Sequence, residues 1–548
     1  MSGESAAGPR WKSPSAFDAL CLAAITIGSA LPYLGQLGFY SDDWGLLAAF
    51  HLNHTASVAT LIADNFPSRP IQGLYLLALF HLFGLEPLSY HIVNTAMLAA
   101  GAALLYLLLR RLRFSRSESF AATVVFVMLP QLSTVRVWYA AFQIPLSMML
   151  MLLSMHGLLS YHRSGNLRWL AAALAAAVLS VASYEIFAPL LAAFAAAIVF
   201  DRWRWAGGDR RTLLMASGLA VLVLGAFAYK LASGRAGAIG DAQRYVAGVR
   251  QLIRTDYDWR VDSGLNIFAM LRACFLDPAR GWWMGAEALI TGQAGATVAV
   301  PALVIGALAW WRLSSSEHVN EPLAPKRLLL LGIATFLAGH ATFLVVPSIA
   351  FTSTGLGNRV QVAAAIGAAM IIASLVGLTI TALPSRVRGA AFATFIVAVT
   401  VPSFVRLDLI ERYWAEAPAL QRQVLSSARV DLRHVPGGST VILDGVCPYH
   451  GPAVVFEAGW DVGGALTLAL GRPIDGNAVS ARMRPTVSGL ETSIYKEPTV
   501  YPYGARLFVY NPAKHLLLRL GDAATAARYF ASRRANPCPG FVARGVEV

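Results

Sequence analysis

Eleven apolar runs decide what this chain can fold into. They lie near 17–38, 88–109, 118–134, 140–160, 168–184, 187–201, 212–231, 285–311, 328–347, 360–382 and 389–405. About 20 apolar residues cross a hydrocarbon core as a helix, and a spanning segment must satisfy its own backbone hydrogen bonds. The pattern predicts an all-α polytopic membrane domain of about 11 transmembrane helices. The run near 187–201 is short, and with its predecessor it also fits a tight hairpin. Composition agrees: 14% of the 548 residues are charged, against roughly 25% in soluble domains. Arg10 and Lys12 precede the first run and no small-residue cleavage site follows it, so that run is expected to be retained as a span.

The loops set an orientation. Arg110, Arg111, Arg113 and Arg116 follow the second run, and Arg163 and Arg168 the fourth. Arg202, Arg204, Arg210 and Arg211 follow the sixth, Arg312, Lys326 and Arg327 the eighth, and Arg386 and Arg388 the tenth. Every second short loop is basic, which places those loops and the N-terminus in the cytoplasm of a cell inner (plasma) membrane protein. The net charge of +14 is spent in these loops; attraction to anionic lipid accounts for it, and no nucleic-acid partner is expected. Three larger regions then face the extracytoplasmic side: 39–87, 232–284 and 406–548. In the first, Pro70–Phe83 is apolar but short and predicts an interfacial helix.

Composition changes after residue 405, where Gly, Pro, Arg and Asp return. The chain therefore divides into a transmembrane domain, 1–405, and a small C-terminal α/β domain, 406–548. Ser439–Asp444 follows a Pro-Gly-Gly turn and predicts a strand, and Ala453–Phe456 a second one. Ala419–Ala428 and Asp522–Ala531 predict helices.

The candidate chemistry gathers at the extracytoplasmic ends of the runs. Phe39-Tyr40-Ser41-Asp42-Asp43-Trp44 places two adjacent carboxylates just after the first run, flanked by interfacial aromatics. Neighbouring acids disfavour double ionisation, which suits a general base; oxygen ligation of a divalent metal is the alternative. Arg69 offers a planar fork for phosphate or pairs with Asp42, Asp43 or Asp64. His91 opens the second run, either as a ligand or as a hydrogen-bonded structural residue. Glu185 sits between two apolar runs, where a carboxylate must line a cavity, pair or reach water. Thr352–Arg359 brings glycines, hydroxyls and Arg359 to the start of the tenth run, the makings of an anion clamp. No Ser-His-Asp spacing, His-Glu-x-x-His motif or dinucleotide fingerprint is present, which argues against soluble hydrolase or redox chemistry.

The order of these features resembles a family. The first run, then Tyr40-Ser41-Asp42-Asp43-Trp44, then Arg69-Pro70, then Phe83-Gly84 leading to Tyr90-His91 and a run ending in Arg110-Arg111, is similar to the GT-C superfamily of integral-membrane glycosyltransferases. Protein O-mannosyltransferases and lipid A aminoarabinose transferases belong to it. The resemblance is clearest over 17–205 and is one of layout beyond. It implies a sugar taken from a polyprenyl-phosphate carrier and passed to an extracytoplasmic acceptor, whether lipid, polysaccharide or protein. It implies Asp42 as the base with Asp43 supporting it. The family's pair is often Asp-Glu, and Asp42 stands in the place of the first acid. Arg69 and Arg359 would hold the lipid phosphate by their chemistry, with His91 and Glu185 near the substrate. No cofactor is expected: family members with monophosphate carriers generally work without a metal, whereas oligosaccharyltransferase relatives use one. The alternatives are a surface-polysaccharide polymerase or ligase, and a non-enzymatic transporter or scaffold. A transporter would instead show broken helices and paired repeats at mid-membrane.

Cys447 and Cys538 fall in the C-terminal region that the odd number of runs places outside the cytoplasm, where disulfides persist. A bridge between them would pin the chain end to the predicted sheet.

Overall fold

The computed structural model describes residues 14–206, 249–255, 265–315, 321–345, 349 and 351–533, less 54, 55, 481, 495 and 496, with isolated positions between 211 and 225. The run near 212–231 and much of the 232–284 region lie outside the described residues.

Among the described residues six helices are long and apolar enough to cross a membrane: Pro87–Arg111, Tyr139–Ser164, Ala296–Ser314, Pro325–Leu344, Leu356–Ile380 and Ser385–Asp431. Arg116–Met128 and Pro130–Val137, bent by 57° at the break between them, are together long and apolar enough for one more. Pro130 causes the bend, because a proline drives the residue before it out of the helical region; Leu129 is accordingly extended, with ψ 137°. Pro14–Ala30 and Leu167–Ser183 are shorter apolar helices, and Ala188–Ala206 is a helix of 19 residues that ends in charged and aromatic residues. The protein is thus a polytopic all-α membrane domain carrying a small α/β domain at its C-terminal end.

Several boundaries differ from those the apolar runs suggest. The first helix ends at Ala30, ahead of Pro32, and the chain to Tyr40 runs through a 3-10 turn at Leu34–Gln36. The run at 285–311 contains the end of one helix, Asp277–Ile290, and most of another, Ala296–Ser314. Gly292 and Gly295 separate them with φ of 75° and 69°, a region that glycine enters without steric cost.

The last run continues without a break into the helix predicted at 419–428, giving Ser385–Asp431, 47 residues long. At 1.5 Å per residue it spans about 70 Å, more than twice a hydrocarbon core. The composition change at 405 falls inside this helix. It therefore carries the chain out of the membrane and forms a wall of the C-terminal domain.

In that domain Ser439–Leu443 is central, paired in parallel with Ile474–Ala478 on one side and Leu507–Asn511 on the other. Leu516–Arg519 adds antiparallel to the latter. Helix Gly459–Leu470 crosses between the first two strands. Its other face meets helix Asp42–Leu52 at a backbone-to-backbone crossing. A Cβ on Gly464 would stand 2.3 Å from the Trp44 carbonyl oxygen, and one on Gly45 would stand 3.2 Å from that of Trp460. The α/β domain is thus seated on the helix that begins with the acidic pair.

Candidate active site

The segment from Gly38 to Trp44 is fixed residue by residue. A Cβ on Gly38 would be 2.7 Å from Pro418 of the long helix, so the loop lies flat on that helix. The Tyr40 hydroxyl donates to the Trp414 carbonyl at 2.5 Å and accepts from the Gly38 amide at 3.0 Å. The Trp138 indole donates to the Tyr40 carbonyl at 3.0 Å. Ser41, with φ 47°, then turns the chain into helix Asp42–Leu52.

These restraints give the two acids different surroundings. Asp43 is wholly buried and accepts from the amides of Tyr40 at 2.8 Å and Ala140 at 2.7 Å. Burial pushes its carboxyl well above the usual carboxylate range, and the two backbone bonds work against that. It ties the loop to the 139–164 segment and does not face open space. Asp42 lines a cavity of about 380 Å³ and has no side-chain hydrogen bond among the described residues. Burial raises its pKa, with the Arg359 charge pulling the other way.

Arg69, Arg359, Trp138, Tyr184, Trp460 and Gln143 line the same cavity. Arg69 grips Glu185 through both ends of its fork, Nε to Oε2 at 3.0 Å and Nη2 to Oε1 at 2.7 Å, and lies 4.4 Å over the Tyr184 ring. The partner of Arg69 is therefore Glu185, not Asp42, Asp43 or Asp64, and Glu185 reaches the site as half of that pair. Arg359 stands apart from any ion pair among the described residues. It is stacked 4.6 Å over Trp138 and donates to the Leu356 carbonyl at 2.5 Å. Thr134 and Ser133 anchor the loop that carries it, through Gly355 and Asn358 at 2.6 and 2.7 Å.

His91 is buried behind the loop, its Nε2 3.1 Å from the Gly38 carbonyl oxygen and its ring edge-on to Phe142. It is absent from the cavity wall and supports the loop from beneath. Cys447 is disulfide-bonded, whereas Cys21 and Cys274 are free and buried; Cys538 lies outside the described residues.

The cavity also holds residues that the sequence did not single out. Trp138 and Trp460 wall it, and Glu457 stands behind the wall, where it accepts from Ser41, the residue before Asp42. Glu457 comes from the C-terminal domain and shares no motif or spacing with the acidic pair. Among the described residues no three His, Cys, Asp or Glu side chains converge as metal ligands.

No family model matches the chain, and no curated protein does. Among solved structures it is similar to ArnT from Cupriavidus metallidurans bound to undecaprenyl phosphate, at 14% identity and a TM-score of 0.37, over 85% of this chain and 86% of that one. ArnT in the apo state matches over the same shares at 13% identity. The apo oligosaccharyltransferase of Archaeoglobus fulgidus matches at 13% identity and a TM-score of 0.41, over 85% of this chain and 65% of that one. At these identities the likeness is one of layout and assigns no residue a role.

Proposed function

We propose that this chain is a membrane glycosyltransferase that moves a sugar from a polyprenyl-phosphate carrier to an extracytoplasmic acceptor, with inversion at the anomeric carbon. One observation carries the proposal. Among the described residues, a carboxylate without a side-chain hydrogen bond, Asp42, and a guanidinium without an ion pair, Arg359, line one cavity at the end of the membrane helices.

A sugar linked to a lipid phosphate already carries a good leaving group. Arg359, stacked on Trp138, is placed to take the negative charge that grows on the departing phosphate. Asp42 accepts the proton of the acceptor hydroxyl or amine as that atom attacks the anomeric carbon. The bond between that carbon and the phosphate oxygen breaks, and its electron pair leaves with the lipid phosphate. Arg69 and Glu185 form a fixed pair on the same wall and present polar edges to the sugar. The donor stays in the bilayer throughout, and a cavity at the membrane boundary reaches it without extracting the lipid.

The test is a mass comparison of envelope glycolipids and glycoproteins from cells that lack the gene, complemented with wild type or with Asp42→Asn. A mass increment of one sugar restored by wild type alone supports the proposal. Full restoration by Asp42→Asn rules out Asp42 as the base.

A further inference from the structure

Glu457 is an acid beside Asp42 that the transfer chemistry above leaves unused. It lies between the short strand Ala453–Val454 and helix Gly459–Leu470. Both of its carboxylate oxygens are engaged by hydroxyls: Ser41 donates to Oε1 at 2.6 Å, and Tyr449 donates to Oε2. Its own amide donates to Asp461 at 2.7 Å, so the backbone is held as firmly as the side chain.

Ser41 is the residue immediately before Asp42, and its φ of 47° lies where side chains other than glycine are strained. Such a conformation persists only where its surroundings over-determine it. Trp138 and Trp414 fix the preceding Tyr40, and Glu457 fixes the Ser41 side chain. The anchor that completes the turn into Asp42 thus comes from the C-terminal domain.

We propose that Glu457 is a positioning residue of the transfer site: through Ser41 it sets the backbone from which Asp42 projects, and it places a second carboxylate beside that base. The C-terminal domain then takes part in the reaction instead of only covering it. This inference rests on Asp42 being the base. The charged and titratable groups facing the pair are Asp43 on the Asp42 helix, Arg359 ahead of Val362–Ile380, Asp461 on Gly459–Leu470, Tyr449 beside the short strand, and the Arg69–Glu185 pair across the cavity. Burial pushes the Glu457 pKa up, the Asp42 charge adds to that, and Arg359 opposes it.

The experiment uses the purified full-length protein and membranes from cells lacking the gene, which contain both the lipid-linked donor and the unmodified acceptor. Product is followed by mass spectrometry across a pH series. Glu457→Gln keeps the shape and most of the bonding and removes the charge. It is expected to lower the plateau several-fold and to move the acid limb to lower pH, because the repulsion by which Asp42 raises the Glu457 pKa is mutual and is lost with the Glu457 charge. A lower plateau with an unmoved limb would mean that Glu457 only supports the fold, and that outcome overturns the proposal, as does an unchanged profile. The limb is read from active molecules alone, so partial misfolding does not mimic the shift. Should Glu457→Gln fail to fold, Tyr449→Phe removes one donor that favours the ionised Glu457 and should move the limb the same way by less; an unmoved limb there is equally fatal. Asp42→Asn is run in parallel. Activity in that variant defeats the base assignment itself, whereas its silence together with an unmoved limb in Glu457→Gln defeats only this inference.

Discussion

The molecule keeps two groups of charges among its apolar helices, one near each end of helix Pro14–Ala30, and builds them in opposite ways. At the arginine-rich end Asp18 is wholly buried and saturated. Its Oδ2 accepts from Arg116 at 2.9 Å and from the Tyr106 hydroxyl at 2.5 Å, and its Oδ1 accepts from Arg312. Beside it Arg110 grips Glu321 at 2.6 and 2.8 Å. Three helix ends and the first helix are clamped there. At the other end the same residue types stand around open space, with Asp42 and Arg359 left without ion pairs among the described residues. A charge taken from water must be compensated. The first group is compensated within the protein; under the proposed function, a substrate completes the second.

The comparison is broken or sharpened first at Asp42. Asp42→Asn keeps the shape and removes the base, so transfer should fall by roughly 10²- to 10⁴-fold, the usual contribution of general base catalysis. Yield and melting behaviour should stay close to wild type, because no side-chain bond is lost. Steady-state transfer rates and a detergent thermal melt read the two quantities separately. A variant that loses stability and not rate would place Asp42 with the structural group.

The counterpart change, Asp18→Asn, should do the reverse. It removes the carboxylate charge to which Arg116 and Arg312 both donate, and breaking such a buried group costs about 3–5 kcal/mol. Poor membrane yield and early melting are expected, with near-normal rate for whatever folds. Arg359→Ala comes next. Truncating a charge that binds a desolvated phosphate costs about 2–5 kcal/mol, which should raise the apparent KM for the lipid donor tens-fold or more with little change in melting. An unchanged donor KM in that variant moves the phosphate site elsewhere.

Asp43→Asn should have a smaller and different effect. The carboxylate serves two backbone amides, those of Tyr40 and Ala140. An amide side chain can accept only with its oxygen, so one buried N–H is left facing another donor, at a cost of about 1–3 kcal/mol. The melt should shift, and activity per folded molecule should fall far less than in Asp42→Asn. Equal loss of activity in both would mean that the acids work as a catalytic pair.

How much of this was legible follows from what each residue depends on. Asp42, Arg69, Glu185 and Arg359 stand at ends of apolar runs, and span ends on one side of a bilayer come together whatever the helix order. That is why residues far apart in sequence could be assigned to one site. The resemblance ranked Asp42 ahead of Asp43, but the difference in their surroundings was not legible, because it turns on the Ala140 amide, which no motif marks. Glu457 was missed for a related reason: the role proposed for it comes from a tertiary contact with Ser41, made where Gly45 and Gly464 let two helices touch. The continuity of Ser385–Asp431 was hidden by the composition change at residue 405, which set a domain boundary inside a helix that also holds Pro402 and Pro418. Both are buried, and packing compensates for the lost backbone bonds: Gly285 gives room beside the Pro402 carbonyl, as Gly38 does beside the Pro418 ring.

The smallest expected effect is on the acid limb of the pH profile. Burial raises the pKa of Asp42, and Arg359 is the charge that opposes the rise. A base must be ionised to act, so activity should be lost as pH falls through the folded-state pKa of Asp42, at a pH above the ordinary Asp value of about 3.9. Removing the guanidinium charge with Arg359→Gln takes away a favourable partner of the ionised form. The limb should then move to higher pH, the direction opposite to that expected for Glu457→Gln. The shift should be modest, because Asp42 and Arg359 face each other across the cavity and do not form an ion pair. Measured at saturating donor, the limb is separated from the KM effect of the same substitution. Movement to lower pH, or none, would show that Arg359 does not act on Asp42 in the enzyme at work, and that the two unpaired charges serve separate sites.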